Sequence, residues 1–345
     1  MEILKQIYSS APVRVCDIGG WTDTWFAGHG AVFNIAVSPN VEVKITVSPR
    51  DSDKRVTLHL RNYNETYSLD PDRIVYNRHP LIEAAIDSMD IPHDLSLDID
   101  IFSSVPSGAS VGTSAAVCTA LIAALDALTP GRITPHETAV LAHKIETEKL
   151  GLQSGVQDQL CSVYGGINYI DIHSFPHAAV HPVNAPEEFR SELEKRLALI
   201  YIGTPHNSSE IHKMVIADLG GNAERDPRLE HLRRLAAEAR DAVTAGDLTA
   251  LGKVMNRNTE MQRALHPGLV CPRFEELIEI ARSFGVSGCK VNGAGGDGGS
   301  VTILGNGDEK KKRELLHTLE IKEYRSLPIS LSPGGTSCIV NPLPV

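Results

Sequence analysis

The chain has 345 residues, 42% of them hydrophobic and 22% charged, the composition of a globular protein with enough chain for two cores. A formal net charge of -10 argues against a nucleic-acid partner, which calls for a basic face, and no apolar run approaches the roughly 18 residues of a membrane-spanning helix. The six cysteines (Cys16, Cys118, Cys161, Cys271, Cys289 and Cys338) lack CxxC spacing and read as buried thiols, and the opening MEILKQIYSSAP is too short and polar for a signal peptide, so the cytoplasm is the expected compartment.

In chain order, APVRV predicts a strand, followed by a Gly-Gly turn and a polar cluster of Trp21, Thr22 and Asp23. VEVKITV and VTLHL alternate as sheet, and LSLDIDIF at 95–102 alternates more strictly. The small-residue run VPSGASVGTSAAV, 105–117, opens a buried helix over 114–128. A second helix is expected over 135–150, with Thr134 as N-cap and Pro135 at the first helical position. GLQSGVQDQ then reads as a loop before a further short helix. The stretch 172–186, rich in Pro, His and Ala, is expected to be the domain change. Its His173, His177 and His181 read as linker histidines, because Pro176 excludes the helix that would align them.

The second half opens with a strand at 197–203 and continues with helices near 228–245, 247–264 and 272–284. CKVNGAG and SVTILG are strands split by glycines, followed by a helix at 308–319 and a terminal strand near 337–340. The order gives an α+β protein with mixed sheets in both halves and domains over 1–185 and 186–345.

An acidic chain that binds an anion must hold it locally, and a helix N-terminus offers unpaired N–H donors and a positive dipole end. Gly108 and Gly112 let the backbone approach a phosphate, while Thr113 and Ser114 add hydroxyls for phosphate oxygens or Mg²⁺. GxxxGTS is not the Walker pattern, since it is one residue shorter and has no lysine. The alternative, an ordinary capped turn, explains one or two of these residues but not Gly108, Gly112, Thr113 and Ser114 together. KVNGAGGDGGSVTIL adds Gly293, Gly295, Gly296, Gly298 and Gly299 where a hairpin needs one or two. In KIETEKLGLQSGVQDQL, Glu146 lies late on its helix, Glu148 points to another face, and Asp158 is flanked by Gln157 and Gln159. Near Lys144 and Lys149 such glutamates also read as a solvated charged face.

Taken in order, the segments APVRVCDIGGWTD, VPSGASVGTSAA and KVNGAGGDGG resemble the three motifs of the GHMP kinases, the family of galactokinase, homoserine kinase and mevalonate kinase. The run Pro106 to Ala116 resembles the family's P-x-x-x-G-[LV]-G-[ST]-S-A-A, with Val111 and Thr113 in place of the commoner Leu and Ser. Asp297 puts a charge into the third motif. The resemblance implies a two-domain GHMP kinase fold: an N-terminal domain of ribosomal S5 domain 2-like form, a ferredoxin-like C-terminal domain, and an active site between them.

It further implies ATP and Mg²⁺ as cofactors, the nucleotide being held by Pro106, Ser107, Gly108, Ala109, Ser110, Gly112, Thr113, Ser114 and Ala115. Ser114 and Glu146 would hold the metal, and Asp158 would be the base with Arg14 beside it. Gly20, Trp21, Thr22, Asp23, Gly295 and Gly296 would meet the acceptor. GGWTD is similar to the L-fucokinase type and, less closely, to the GGGTD of heptose 7-phosphate kinases. The implied partner is therefore a small-molecule sugar or sugar phosphate, phosphorylated at its anomeric hydroxyl by a monomer or homodimer. Trp21 and Trp25 are possible stacking platforms or core residues, and His29, Arg61, Lys213 and Arg225 are candidate partners for a phosphate on the acceptor. Other readings stay open: a mevalonate- or homoserine-type acceptor, and a catalytically silent regulator that binds sugar and ATP.

Overall fold

The long strand Gly30–Pro49 is the spine of the larger sheet. It pairs antiparallel with Lys5–Ile18 on one side and, on the other, with Ile167–Ser174 over its first part and Leu95–Ser103 over its second. Its apolar residues Val43, Ile45 and Val47 alternate into the core, as the period of two requires. The computed structural model describes residues 2–50, 55–129, 131, 133–204 and 208–342.

Among these, nine strands form the first sheet, and its one parallel pairing joins Val56–Leu60 to Leu95–Ser103. Helix Thr113–Asp126, whose Ala120, Leu121, Ile122 and Ala124 are fully buried, packs on this sheet. Helix Pro227–Thr244 packs against the same spine strand.

The second sheet has the order Arg325–Leu327, Leu197–Tyr201, Ser300–Leu304, Gly288–Val291, with every pairing antiparallel. In chain order, helices between Leu197–Tyr201 and Gly288–Val291 and between Ser300–Leu304 and Arg325–Leu327 make this the ferredoxin-like arrangement. Ile200, Val291, Val301 and Ile303 face Phe274, Leu277, Ile278, Leu315 and Leu319 in its core.

Several expectations change. The second sheet is wholly antiparallel rather than mixed. The 172–186 stretch is a hairpin of the first sheet, Ile167–Ser174 with His177–Pro182, so its histidines lie on strands and not in a linker. The division at 185/186 does not separate the sheets, because Ser330–Leu331 and Ser337–Pro342 return to the first one. There Ser337–Pro342 pairs with the outer edge of Lys5–Ile18, which would otherwise be left open. That edge position leaves Cys338 exposed, unlike the four buried cysteines. Thr134 caps its helix in a full capping box with Glu137. The helix ends at Lys144, however, and runs into one wider turn, Ile145–Lys149, closed by Leu150 N–H on the Ile145 carbonyl at 3.1 Å. No described helix is long and apolar enough to cross a membrane.

Candidate active site

The site is built where the first strand loses its regularity. Pairing of Lys5–Ile18 with the spine slips between Val15 and Ile18, and Cys16 takes a positive φ of 57°. A bulge breaks the alternation of faces, so Arg14 and Asp17 both line the same cleft. Arg14 is buried and bidentate on Asp158, with Nε to Oδ1 at 2.8 Å and Nη2 to Oδ2 at 3.2 Å, and its Nη1 donates to the Ser110 carbonyl. Burial alone would lower the guanidinium's pKa, but Asp158 and Asp17 more than offset this, so it stays charged.

Asp158 is in the first turn of helix Gln157–Tyr164, not in a loop as the sequence suggested. A carboxylate there faces the positive end of the helix dipole. The preceding residues fix Asp23: its Oδ2 accepts the Gln157 N–H at 3.1 Å, and a Cβ on Gly155 would stand 2.0 Å from that oxygen. Burial first, and then the charge of Asp158, push the Asp23 carboxyl up to about 6. Glu146 comes from the wider helical turn, a form of irregularity frequent at functional sites. Its Oε2 accepts from Ser154 Oγ at 2.6 Å and Gln159 Nε2 at 2.8 Å. Burial pushes it up to about 7, although the Ser154 bond works in the opposite direction.

The glycine loop closes the other wall. Gly112 has φ 72° and introduces helix Thr113–Asp126, and a Cβ on it would stand 3.2 Å from the Asp158 carboxyl carbon. Ser110 stands where the quoted motif carries glycine and still adopts φ 60°, a departure the sequence reading overlooked. Ser114 is exposed, while the Thr113 hydroxyl is buried without a partner.

The cleft measures about 340 Å³, within the range of small-ligand sites. Its walls unite Arg14, Trp21, Asp23, Glu146 and Asp158 with Ser107 to Ala115. A second cavity of about 280 Å³ shares Ser107, Gly108, Thr113 and Ser114 with it and is floored by Leu60, Ile82, Val105 and Val117. Trp21 is buried, tilted against the His212 ring at 4.7 Å between centroids, with its indole N–H unpaired.

Other expected site residues lie elsewhere. Pro106 is beside the cleft rather than in its wall. Gly20 packs behind it against Asp17 and Gln157, and the buried Thr22 hydroxyl donates to the Gly19 carbonyl at 2.8 Å. Gly295 and Gly296 do not line the cleft: Cβ atoms on them would stand 2.2 Å from the Leu269 carbonyl oxygen and 2.1 Å from Ile211 Cδ1. Glu148 and Asp297 are exposed, and Trp25 is half-exposed, its indole N–H bonded to Gln153. Sequence reasoning missed Asp17, Gln153, Ser154, Gln157 and His212 as cleft residues. Only Gln157, beside Asp158 in GVQDQ, carried a usable signal.

Comparison with known proteins bears on this geometry. The profile described as "GHMP kinases N terminal domain" matches residues 80–166, and "GHMP kinases C terminal" matches 239–316. The mevalonate kinase of Pyrococcus abyssi is 30% identical over 280 residues, which cover 79% of this chain and 77% of that protein. The chain belongs to the GHMP kinase family. As a GHMP kinase it is a phosphotransferase that uses ATP and an alcohol group as acceptor.

The bifunctional fucokinase/GDP-fucose pyrophosphorylase of Arabidopsis thaliana is 27% identical over 328 residues, 90% of this GHMP kinase but 30% of the plant protein. The D-glycero-alpha-D-manno-heptose 7-phosphate kinase of Campylobacter jejuni is 24% identical over 346 residues, 96% and 98% of the two chains. In fold, the kinase is similar to Lactococcus lactis galactokinase complexed with galactose, at a TM-score of 0.73 and 19% identity over 96% of this chain and 95% of that one.

Proposed function

We propose that the protein is an ATP-dependent sugar kinase that phosphorylates the anomeric hydroxyl to give a sugar 1-phosphate. The observation that carries this reading is the Arg14–Asp158 pair facing Asp23 and Trp21 across one cleft, directly beside the glycine loop. The relatives named as a fucokinase and a heptose 7-phosphate kinase support a sugar or sugar phosphate as acceptor. In this reading the nucleotide phosphates lie along the N–H groups of Ser107 to Ala115 and the base enters the apolar-floored cavity. The acceptor lies against Trp21, with Asp23 accepting a hydroxyl hydrogen bond. Asp158 orients the anomeric hydroxyl and takes its proton, and Arg14 stabilises the developing alkoxide.

The oxygen donors of Glu146 and Ser114, which line one cleft, fit a hard divalent cation such as Mg²⁺. Such an ion would offset charge on the triphosphate.

A free sugar fits better than a sugar phosphate. Asp17, Asp23, Glu146 and Asp158 line the cleft, against Arg14, already paired, and His212 among the described residues. Of the cations considered from sequence, Arg61 is bonded to Asp100, His29 stands 3.8 Å from Glu224, and neither Lys213 nor Arg225 lines the cleft.

The test is ADP release with a panel of free and phosphorylated sugars, followed by phosphorus NMR of the product. A proton-coupled anomeric phosphate on an unphosphorylated sugar is expected. Binding of sugar and ATP without turnover would make the protein a sensor, and turnover of mevalonate or homoserine alone would overturn the sugar reading. Within the same reading, Ser114→Ala should weaken Mg²⁺-dependent nucleotide binding about tenfold, the scale of one charge-assisted contact. Calorimetric titration of ATP with and without Mg²⁺ checks it, and an unchanged metal dependence would remove Ser114 from the site.

A further inference from the structure

A chain of buried charges runs behind the Arg14–Asp158 pair. The side chains of Asp17 and Lys290 are each 1% exposed, and Lys290 Nζ stands 3.3 Å from Asp17 Oδ1. The same Asp17 oxygen is 3.9 Å from Arg14 Nη1. Lys290 belongs to strand Gly288–Val291, whose Cys289 and Val291 enter the core of the second sheet. The alternation of that strand sends Lys290 the other way, toward the bulge of the first strand. Gly293 N–H donates to both Asp17 oxygens, at 3.1 and 3.0 Å, and a Cβ on Gly293 would stand 3.1 Å from Ser110 Cβ and 3.3 Å from Arg14 Nη2. In formal charge, Lys290, Asp17, Arg14 and Asp158 thus alternate in sign from the second sheet into the cleft; burial pulls the Lys290 ammonium's pKa down, and the adjacent Asp17 works against that shift.

Burying such a pair is a poor way to stabilise the fold, because taking two ions out of water is costly and apolar residues could join the sheets as well. Its electrostatic effect is more specific. Arg14 has two carboxylates within reach, and an unneutralised Asp17 would compete with Asp158 for the guanidinium.

We propose that Asp17 and Lys290 are positioning residues: Lys290 neutralises Asp17, so that the Arg14 guanidinium remains on Asp158 and beside the transferred phosphoryl group. This rests on the reading of Arg14 and Asp158 as the reacting pair. The test therefore includes a readout that needs no acceptor, the Arg14 Nε–Hε resonance in ¹⁵N-labelled protein, assigned by its loss in Arg14→Lys.

Lys290→Met should shift that resonance away from its parent position, and Asp17→Asn/Lys290→Met, which removes both charges, should bring it back. In ADP-release assays with a sugar that the parent turns over, Lys290→Met should lose about 10²-fold in kcat with nucleotide KM within about threefold, the scale of a misplaced catalytic group. The double variant should recover most of that loss. A merely structural role would lower both variants together. The proposal is overturned if Lys290→Met leaves the Arg14 resonance and kcat unchanged, or if the double variant matches Lys290→Met in both. Should Lys290→Met not fold, the double variant decides, since a displaced Arg14 resonance there overturns the proposal. If no sugar is turned over, the sugar-kinase reading fails while the resonance still judges the positioning role.

Discussion

Asp158→Asn should lower kcat by about 10²–10⁴-fold, the range of general-base assistance, while ATP and the sugar still bind. Asparagine keeps the shape of the side chain and lets one oxygen still accept from Arg14, but it cannot take a proton. The substitution also removes one of the two carboxylates near Arg14, and burial of that guanidinium is then balanced by Asp17 alone. A melting temperature must therefore accompany the kinetics. Single-turnover measurement with both substrates bound isolates the chemical step. Turnover within about threefold of the parent would mean that no base is needed, as a loose phosphoryl-transfer transition state permits.

Much of the fold was legible because each motif carried a local physical signal. Thr134 and Pro135 marked a helix start through capping and a fixed φ, and the capping box with Glu137 formed as expected. The alternation of LSLDIDIF placed its strand over Leu95–Ser103. What the sequence hid was long-range. Nothing in SCIVNP says that it closes an edge more than 300 residues away, and glycine count alone cannot tell whether Gly295 and Gly296 face a ligand or a neighbouring backbone. Asp17 escaped notice for a related reason. An alternating strand assigns it to the face opposite Arg14, and only the bulge at Cys16 brings the two together. The wider turn at Ile145–Lys149 was equally unreadable, since it preserves the helical pattern while turning Glu146 inward.

Asp23→Asn should separate stability from acceptor recognition, and pH gives the separation its sign. The Asp23 carboxyl lies at about 6 in the folded protein against an ordinary 3.8, so the native state binds more protons than the unfolded chain between those values. Stability therefore falls as pH rises through this window, and the full cost of the buried charge is present above about pH 6. Two pKa units correspond to ~3 kcal/mol as an upper figure. Asparagine is neutral at every pH and can still accept the Gln157 N–H, so in the absence of substrates the variant should melt a few degrees above the parent at pH 8. The difference should shrink as pH falls toward 3.8 and vanish below about pH 3, where the parent's carboxyl is also protonated in both states. Catalysis should move in the opposite direction: kcat/KM for the sugar should drop about 10²-fold, the scale of a lost charged hydrogen bond to a hydroxyl, with ATP affinity nearly intact. In the parent, the sugar KM should rise as pH falls below about 6, and in Asp23→Asn that inflection should be absent. A variant impaired only toward ATP, or one with the parent's melting difference at every pH, would show that this buried carboxylate serves neither the acceptor nor the balance of charge assigned to it.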